Sequence, residues 1–234
     1  MEFRVLASGS DGNAYRVSDG KTALLLDAGI PFKSIQKALQ FRVRDITGCL
    51  VTHEHGDHCK AVDDLAKSGV DIYASKGTFD AKGFTGHRMH VVKSLEQFTV
   101  GTFLILPFDV EHDSAEPLGF LLHSMSTGEK LLYFTDTYFL RYKFTGLTVI
   151  AGECNHSIEG IHESVAQGLI PEELVPRLVR SHMSIENFLG FIEANDMSTV
   201  KQIYLLHLSK NNGDPDGFRK SVQEAVPTAE VYVC

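Results

Sequence analysis

The stretch VTHEHGDHC, residues 51–59, packs His53, Glu54, His55, Asp57 and His58 into six consecutive positions directly after an apolar run. Imidazole and carboxylate groups are costly to hold at this density unless a cation sits among them. Residues i and i+2 at the end of a strand project to the same side, which brings His53 and His55 together. Asp57 and His58 lie just past the turn, so two neighbouring ions can each draw ligands from one short segment. Nitrogen and carboxylate donors without a thiolate suit Zn²⁺, and also Mn²⁺ or Fe. A solvated helix start would favour an acid here but asks for no histidine. Glu54 is read as a supporting or helix-start residue and is not placed on a metal.

One cluster cannot complete two metal sites, because each ion wants four or five donors. The remaining donors stand at the ends of other apolar runs: His112 after TFLILPFDVE, Asp136 in KLLYFTD and His207 in YLLHLS. Each such run reads as a strand that would deliver its polar residue to a sheet edge.

The rest of the chain reads as one domain, residues 1–234, with no repeat and no linker-like tract. Strands are expected at 3–7, 14–18, 22–29, 49–52, 71–75, 89–92, 98–100, 102–110, 118–125, 130–136, 147–154, 202–209 and at the C-terminal end. A helix is expected at IPFKSIQKALQ with Pro31 in its first turn, and others are expected near 60–68, in PEELVPRLVRSH, in SIENFLGFIEAND and from about Asp214. In SIENFLGFIEAND, Ile185, Phe188, Leu189 and Ile192 share one face. Strands and helices mixed in this way predict an α/β fold with sheets in the middle and helices outside.

Net charge is −8 with a pI near 5.7, so no global positive field gathers nucleic acid or an acidic membrane. A polyanion drawn to a local metal site remains compatible, since bound cations reverse the charge of a pocket. The four cysteines, Cys49, Cys59, Cys154 and Cys234, form no C-x-x-C pair, and no signal peptide or membrane span is seen. A reduced, cytoplasmic setting is the expectation.

THEHGDH, VEHD, LYFTDT and LLHLS, in this order, resemble the metallo-β-lactamase superfamily. The resemblance implies an αββα sandwich, two mixed sheets flanked by helices, with a dinuclear site for Zn²⁺ or Mn²⁺. It also implies ligand roles: His53, His55 and His112 on one ion; Asp57, His58 and His207 on the other; Asp136 bridging. Asp27, in LLLDAG, matches an aspartate that supports the site by hydrogen bonding. LASGSDGNAY and the segment from HMSIENF to LLHLS resemble the small exonuclease branch called WalJ or YycJ, which is related to the ribonuclease Z phosphodiesterases. His182, in SHMSIENF, fits the position of a catalytic histidine there. The ECNH stretch is typical of that branch but acquires no firm role. No cysteine stands at a metal position, and the chain between Asp136 and His207 is too short for the inserted domain of the RNA-processing relatives.

These implications converge on a phosphodiesterase, foremost a 5′-to-3′ DNA exonuclease using metal-activated hydroxide, with Asp57 and His182 as catalytic residues. DNA is preferred to RNA as the partner, and a homodimer would extend a short site. The turn SGSDGN is either a plain tight hairpin or a wall of the site, in which case Ser8, Ser10 and Asn13 face substrate. His156, which follows an apolar strand as the ligand histidines do, is a separate candidate for lining the pocket. His87 and His90 read as a solvated turn, His123 as structural and Cys59 as a small core residue. Two rivals stay open: a hydrolase of a small phosphodiester such as a cyclic nucleotide, and a non-catalytic metal-stabilised binding protein. Thioester or lactam hydrolysis ranks below both.

Overall fold

The computed structural model describes residues 1–234. Thirteen strands fall in two mixed sheets flanked by helices, the α/β arrangement expected. The chain divides into two compact units, residues 1–109 with 114–129, and residues 110–113 with 130–234.

In the first unit β1 (Glu2–Ala7), β2 (Ala14–Ser18) and β3 (Ala23–Leu26) form an antiparallel meander. Parallel strands β4 (Gly48–Leu50), β5 (Asp71–Ala74) and β6 (Met89–Val91) continue the sheet in chain order. The connections carry helices α1 (Phe32–Ala38), α2 (Gly56–Cys59), α3 (Val62–Lys67) and α4 (Lys76–Lys82). Strand β3 reads ALLL and is buried along its whole length, as a strand covered on both faces must be. Leu25 packs in one cluster with Ile35, Leu39, Val43, Val51, Leu65 and Ile72, which fixes α1 and α3 against the sheet. Pro31 sits at the N-cap of α1, one place before the first turn where the sequence placed it.

The same unit holds an antiparallel meander of β7 (Phe98–Val100), β8 (Phe103–Asp109) and β9 (Leu118–Ser124). Asp19, in the β2–β3 turn, clips this meander to the first sheet. Its Oδ2 accepts from the hydroxyls of Thr102 (2.5 Å), Ser124 (2.7 Å) and Ser126 (2.7 Å), and its Oδ1 from the N–H groups of Lys21 and Thr22.

The second unit is built on four parallel strands, β10 (Lys130–Phe134), β11 (Val149–Glu153), β12 (Gln202–Leu206) and β13 (Glu230–Val233). Its helices are α5 (Ile158–Ala166), α6 (Val175–Ser181), α7 (Ile185–Ala194) and α8 (Pro215–Ala225). Helix α7 is capped by Ser184, whose hydroxyl accepts from Asn187 N, and buries Ile185, Phe188, Phe191 and Ile192. Phe191 takes the core place that periodicity gave to Leu189, and its ring packs edge-on to Phe134 at 5.7 Å.

Three strands end sooner than their apolar runs suggest, and the reason is shared. Asp27, Asp136 and His207 adopt positive φ angles of 57°, 49° and 55°. A side chain in the left-handed region is strained and breaks the pleat, so β3 and β12 stop immediately before it and β10 stops one residue earlier, at Phe134. All three are residues singled out for the site.

Candidate metal centre

In the first unit β3 delivers Asp27, and the segment after β4 delivers Thr52, His53 and His55. Asp27 is fully buried; its Oδ1 accepts from Thr52 N (2.8 Å), and its Oδ2 lies 2.9 Å from His58 Nδ1. This contact makes Nδ1 the protonated nitrogen of His58 and leaves Nε2 with its lone pair, the state a metal needs. His53 Nδ1 is 3.0 Å from the Thr52 hydroxyl, and His53 Nε2 is 3.0 Å from His55 Nδ1. Asp57 Oδ2 lies 3.5 Å from His58 Nε2.

The backbone enforces this grouping. A Cβ built on Gly29 would stand 1.5 Å from the Asp57 carbonyl oxygen, so only glycine lets the β3 exit pass beside α2. Asn13 closes the same corner: its N–H donates to Asp57 O (2.7 Å), and its Nδ2 lies 3.1 Å from His58 Nε2. Its side-chain oxygen accepts from the Tyr15 hydroxyl (2.8 Å).

In the second unit His112, Asp136, Glu153, His182 and His207 come together. Asp136 turns one oxygen to each of two histidines, with Oδ2 at 3.6 Å from His112 Nε2 and Oδ1 at 3.4 Å from His207 Nδ1. Ligand atoms of Asp136, Glu153, His182 and His207 lie within 4.8 Å of one another. His182 stacks on His207, with ring centroids 5.4 Å apart and planes at 21°.

Glu153 organises this group, and sequence reading gave it no role. It ends the buried strand VIAGE and is itself fully buried. Its Oε1 meets His182 Nδ1 (2.6 Å) and His207 Nδ1 (3.1 Å); its Oε2 accepts from Thr137 N (2.9 Å) and Met183 N (3.2 Å). Burial pushes the Glu153 carboxyl up, but the charge and hydrogen bond of His182, with the hydrogen bond of His207, hold it below its ordinary value. Burial pulls His182 down, and Glu153 more than reverses this, so the imidazole is raised. An acid closing a wholly apolar strand was the available signal, since such a charge needs partners. Asn155 adds a second support by donating from Nδ2 to His207 O (2.7 Å).

Other expected site residues are placed as follows. Ser10 is exposed in the β1–β2 turn, whereas Asn13 is fully buried within its hydrogen-bond network. His156 is 1% exposed, neither ring nitrogen has a hydrogen-bond partner, and burial lowers its pKa. His90 stacks on Tyr73 (4.9 Å), while Arg88 pairs with Asp71 at 2.9 Å. Cys59 is buried, its thiol donates to Glu54 O, and burial pushes it up to about 11. All four cysteines are free thiols.

The donor groups fit divalent metal. Two ligand nitrogens each about 2.0–2.1 Å from one zinc lie slightly over 3 Å apart, and the His53–His55 pair stands at 3.0 Å. The buried Asp27–His58 pair supplies the oriented neutral imidazole such an ion takes.

Fold and donor set together define an enzyme class, a metal-dependent hydrolase of metallo-β-lactamase fold. The chain belongs to the beta-lactamase superfamily domain family, which matches residues 22–208. It is 31% identical to exodeoxyribonuclease YycJ of Bacillus anthracis over 97% of this chain and 89% of the relative. Exodeoxyribonuclease WalJ of Streptococcus pneumoniae serotype 2 (strain D39 / NCTC 7466) is 29% identical over 91% of this chain and 83% of its own. In fold the chain is similar to the metallo-beta-lactamase fold protein YhfI from Bacillus subtilis. That match has a TM-score of 0.74 and 15% identity, covering 99% of this chain and 95% of the other. No helix is long and apolar enough to cross a membrane.

Proposed function

We propose that the chain is a DNA exonuclease that holds two divalent ions, Zn²⁺ or Mn²⁺, and hydrolyses phosphodiester bonds from 5′ ends in the cytoplasm. The reading requires the two units to act as one domain. His53, His55 and His112 would hold one ion, Asp57, His58 and His207 the other, with Asp136 shared. The observation that carries it is the buried Asp136 carboxylate, whose Oδ2 lies 3.6 Å from His112 Nε2. It also stands with Glu153, His182 and His207 in a group whose ligand atoms lie within 4.8 Å of one another, so that it adjoins donors on two sides as a group shared by two ions would. The substrate class is drawn from the relatives named exodeoxyribonucleases.

When bound, such ions supply positive charge to a phosphate and make water a usable nucleophile near neutral pH. The chain's own part is orientation and proton transfer. Asp57, whose side chain is 29% exposed, accepts a hydrogen bond from the attacking water and aims it at phosphorus. His182 uses Nδ1 to hold Glu153, so Nε2 is the nitrogen left to protonate the departing alcohol. Its side chain is 19% exposed, open enough to meet substrate and enclosed enough to stay oriented. Asn13 keeps Asp57 and His58 in place, a positioning role suited to a buried amide, while Ser10 remains free to touch a phosphate oxygen.

End-labelled DNA and cyclic nucleotides, offered side by side to metal-loaded protein, test the reading. Stepwise release of mononucleotides from 5′ ends with no cyclic-nucleotide opening is expected. Ring opening without DNA cleavage would replace it with the small-diester reading.

A further inference from the structure

A groove of about 270 Å³ in the second unit lies between residues 139–143 and one side of α7. Both walls start at site residues: the loop leaves Asp136 two residues before Tyr138, and α7 begins three residues after His182. The groove is built into the fold, because the loop is fastened to the helix at both ends. Asn187 Nδ2 donates to Tyr138 O (2.9 Å), and Phe144 N donates to Asn195 Oδ1 (2.7 Å). Leu140 and Phe144 turn inward and are buried, while Phe139 is 52% exposed and Arg141 and Lys143 are exposed. Arg141 pairs with Glu111, the neighbour of His112. Glu186 is the carboxylate on the wall, and it accepts from Ile158 N (3.2 Å), on the α5 side.

Phe139 is exposed, stands two residues before Arg141 and four before Lys143, and has no part in the core of this unit. Aromatic faces stack on bases, and neighbouring cations follow phosphates, the pairing that single-stranded nucleic acid uses. Interior base pairs are stacked on both faces, so an unpaired base is the occupant that a lone exposed aromatic side chain fits. We infer that this groove binds the single-stranded DNA segment next to the scissile phosphate, with Phe139 stacking on a base and Lys143 meeting the backbone. The inference rests on the nuclease reading and assigns its substrate track.

The chain contains no tryptophan, so Phe139→Trp would install a single fluorescent reporter. With a phosphorothioate oligodeoxythymidine and metal-loaded full-length protein, that variant should bind with wild-type affinity and be quenched. Phe139→Ala should weaken binding about five-fold or more and raise KM for single-stranded DNA with little change in kcat. Lys143→Ala should flatten the slope of log K against log salt by about 0.7. Both positions are exposed, and unchanged melting temperatures would confirm folding. A wild type that cuts DNA, combined with no quenching and no loss in Phe139→Ala, overturns the groove assignment alone. A wild type that neither binds nor cuts DNA overturns the nuclease reading and the groove together.

Discussion

Glu153 Oε1 stands 2.6 Å from Nδ1 of His182 and 3.1 Å from Nδ1 of His207. One buried carboxylate thereby orients both a candidate acid and a candidate ligand. Glu153→Gln keeps the shape and one acceptor oxygen but removes the charge, so both rings are held more weakly. Catalysis should fall about 10–100-fold, with kcat affected more than KM. Steady-state kinetics on DNA would show it; unchanged kcat would remove Glu153 from the positioning network.

Asp27 plays the matching part in the first unit through its 2.9 Å contact with His58 Nδ1. Asp27→Asn should weaken divalent-ion affinity by about 10–100-fold, read by competition with a chelating dye. Affinity equal to that of wild type would show that His58 does not depend on this carboxylate.

Gly29→Ala probes the backbone crossing. The added methyl meets the Asp57 carbonyl, and the α2 segment must shift. A loss of about 1–3 kcal/mol in folding stability is expected, together with reduced metal binding, both read by urea denaturation with and without metal. A variant as stable as wild type would mean that the two segments separate without cost.

Asp19 governs stability in acid. Burial raises its pKa, but hydrogen bonds from Thr102, Thr22, Ser124 and Ser126 outweigh this and depress it strongly. A depressed carboxylate stabilises the fold above its unfolded pKa of about 3.9 and loses that contribution as pH falls toward the folded value. Wild type should therefore exceed Asp19→Asn by about 1 kcal/mol near pH 7 after solvent screening. The gap should narrow steadily below about pH 4. A gap independent of pH would show that the clip acts through shape rather than charge.

Much of the fold was legible because apolar runs and polar strand ends alternate plainly along the chain. The runs at 22–29, 130–136 and 202–209 were read too long, since Asp27, Asp136 and His207 look like strand continuations and only coordinates show their left-handed backbone. Helices α4 and α5 were missed for a related reason. Helix α5 buries only Ile161 and Ser164, too few apolar positions to set a period, and its signal was the Ser157 cap. Within the candidate centre, the histidine cluster and the polar ends of apolar runs pointed to the residues that each unit gathers, but the groups that support them did not stand out. Thr52 and Glu153 matter through bonds to residues distant in sequence, which no local pattern encodes.

Metal stoichiometry of gently purified protein, measured by elemental mass spectrometry on wild type and Asp136→Ala, tests the shared-carboxylate arrangement most directly. Two equivalents of zinc or manganese per chain are expected for wild type, and one or none for the variant. A wild type without bound transition metal, or a variant that keeps both ions, would contradict it.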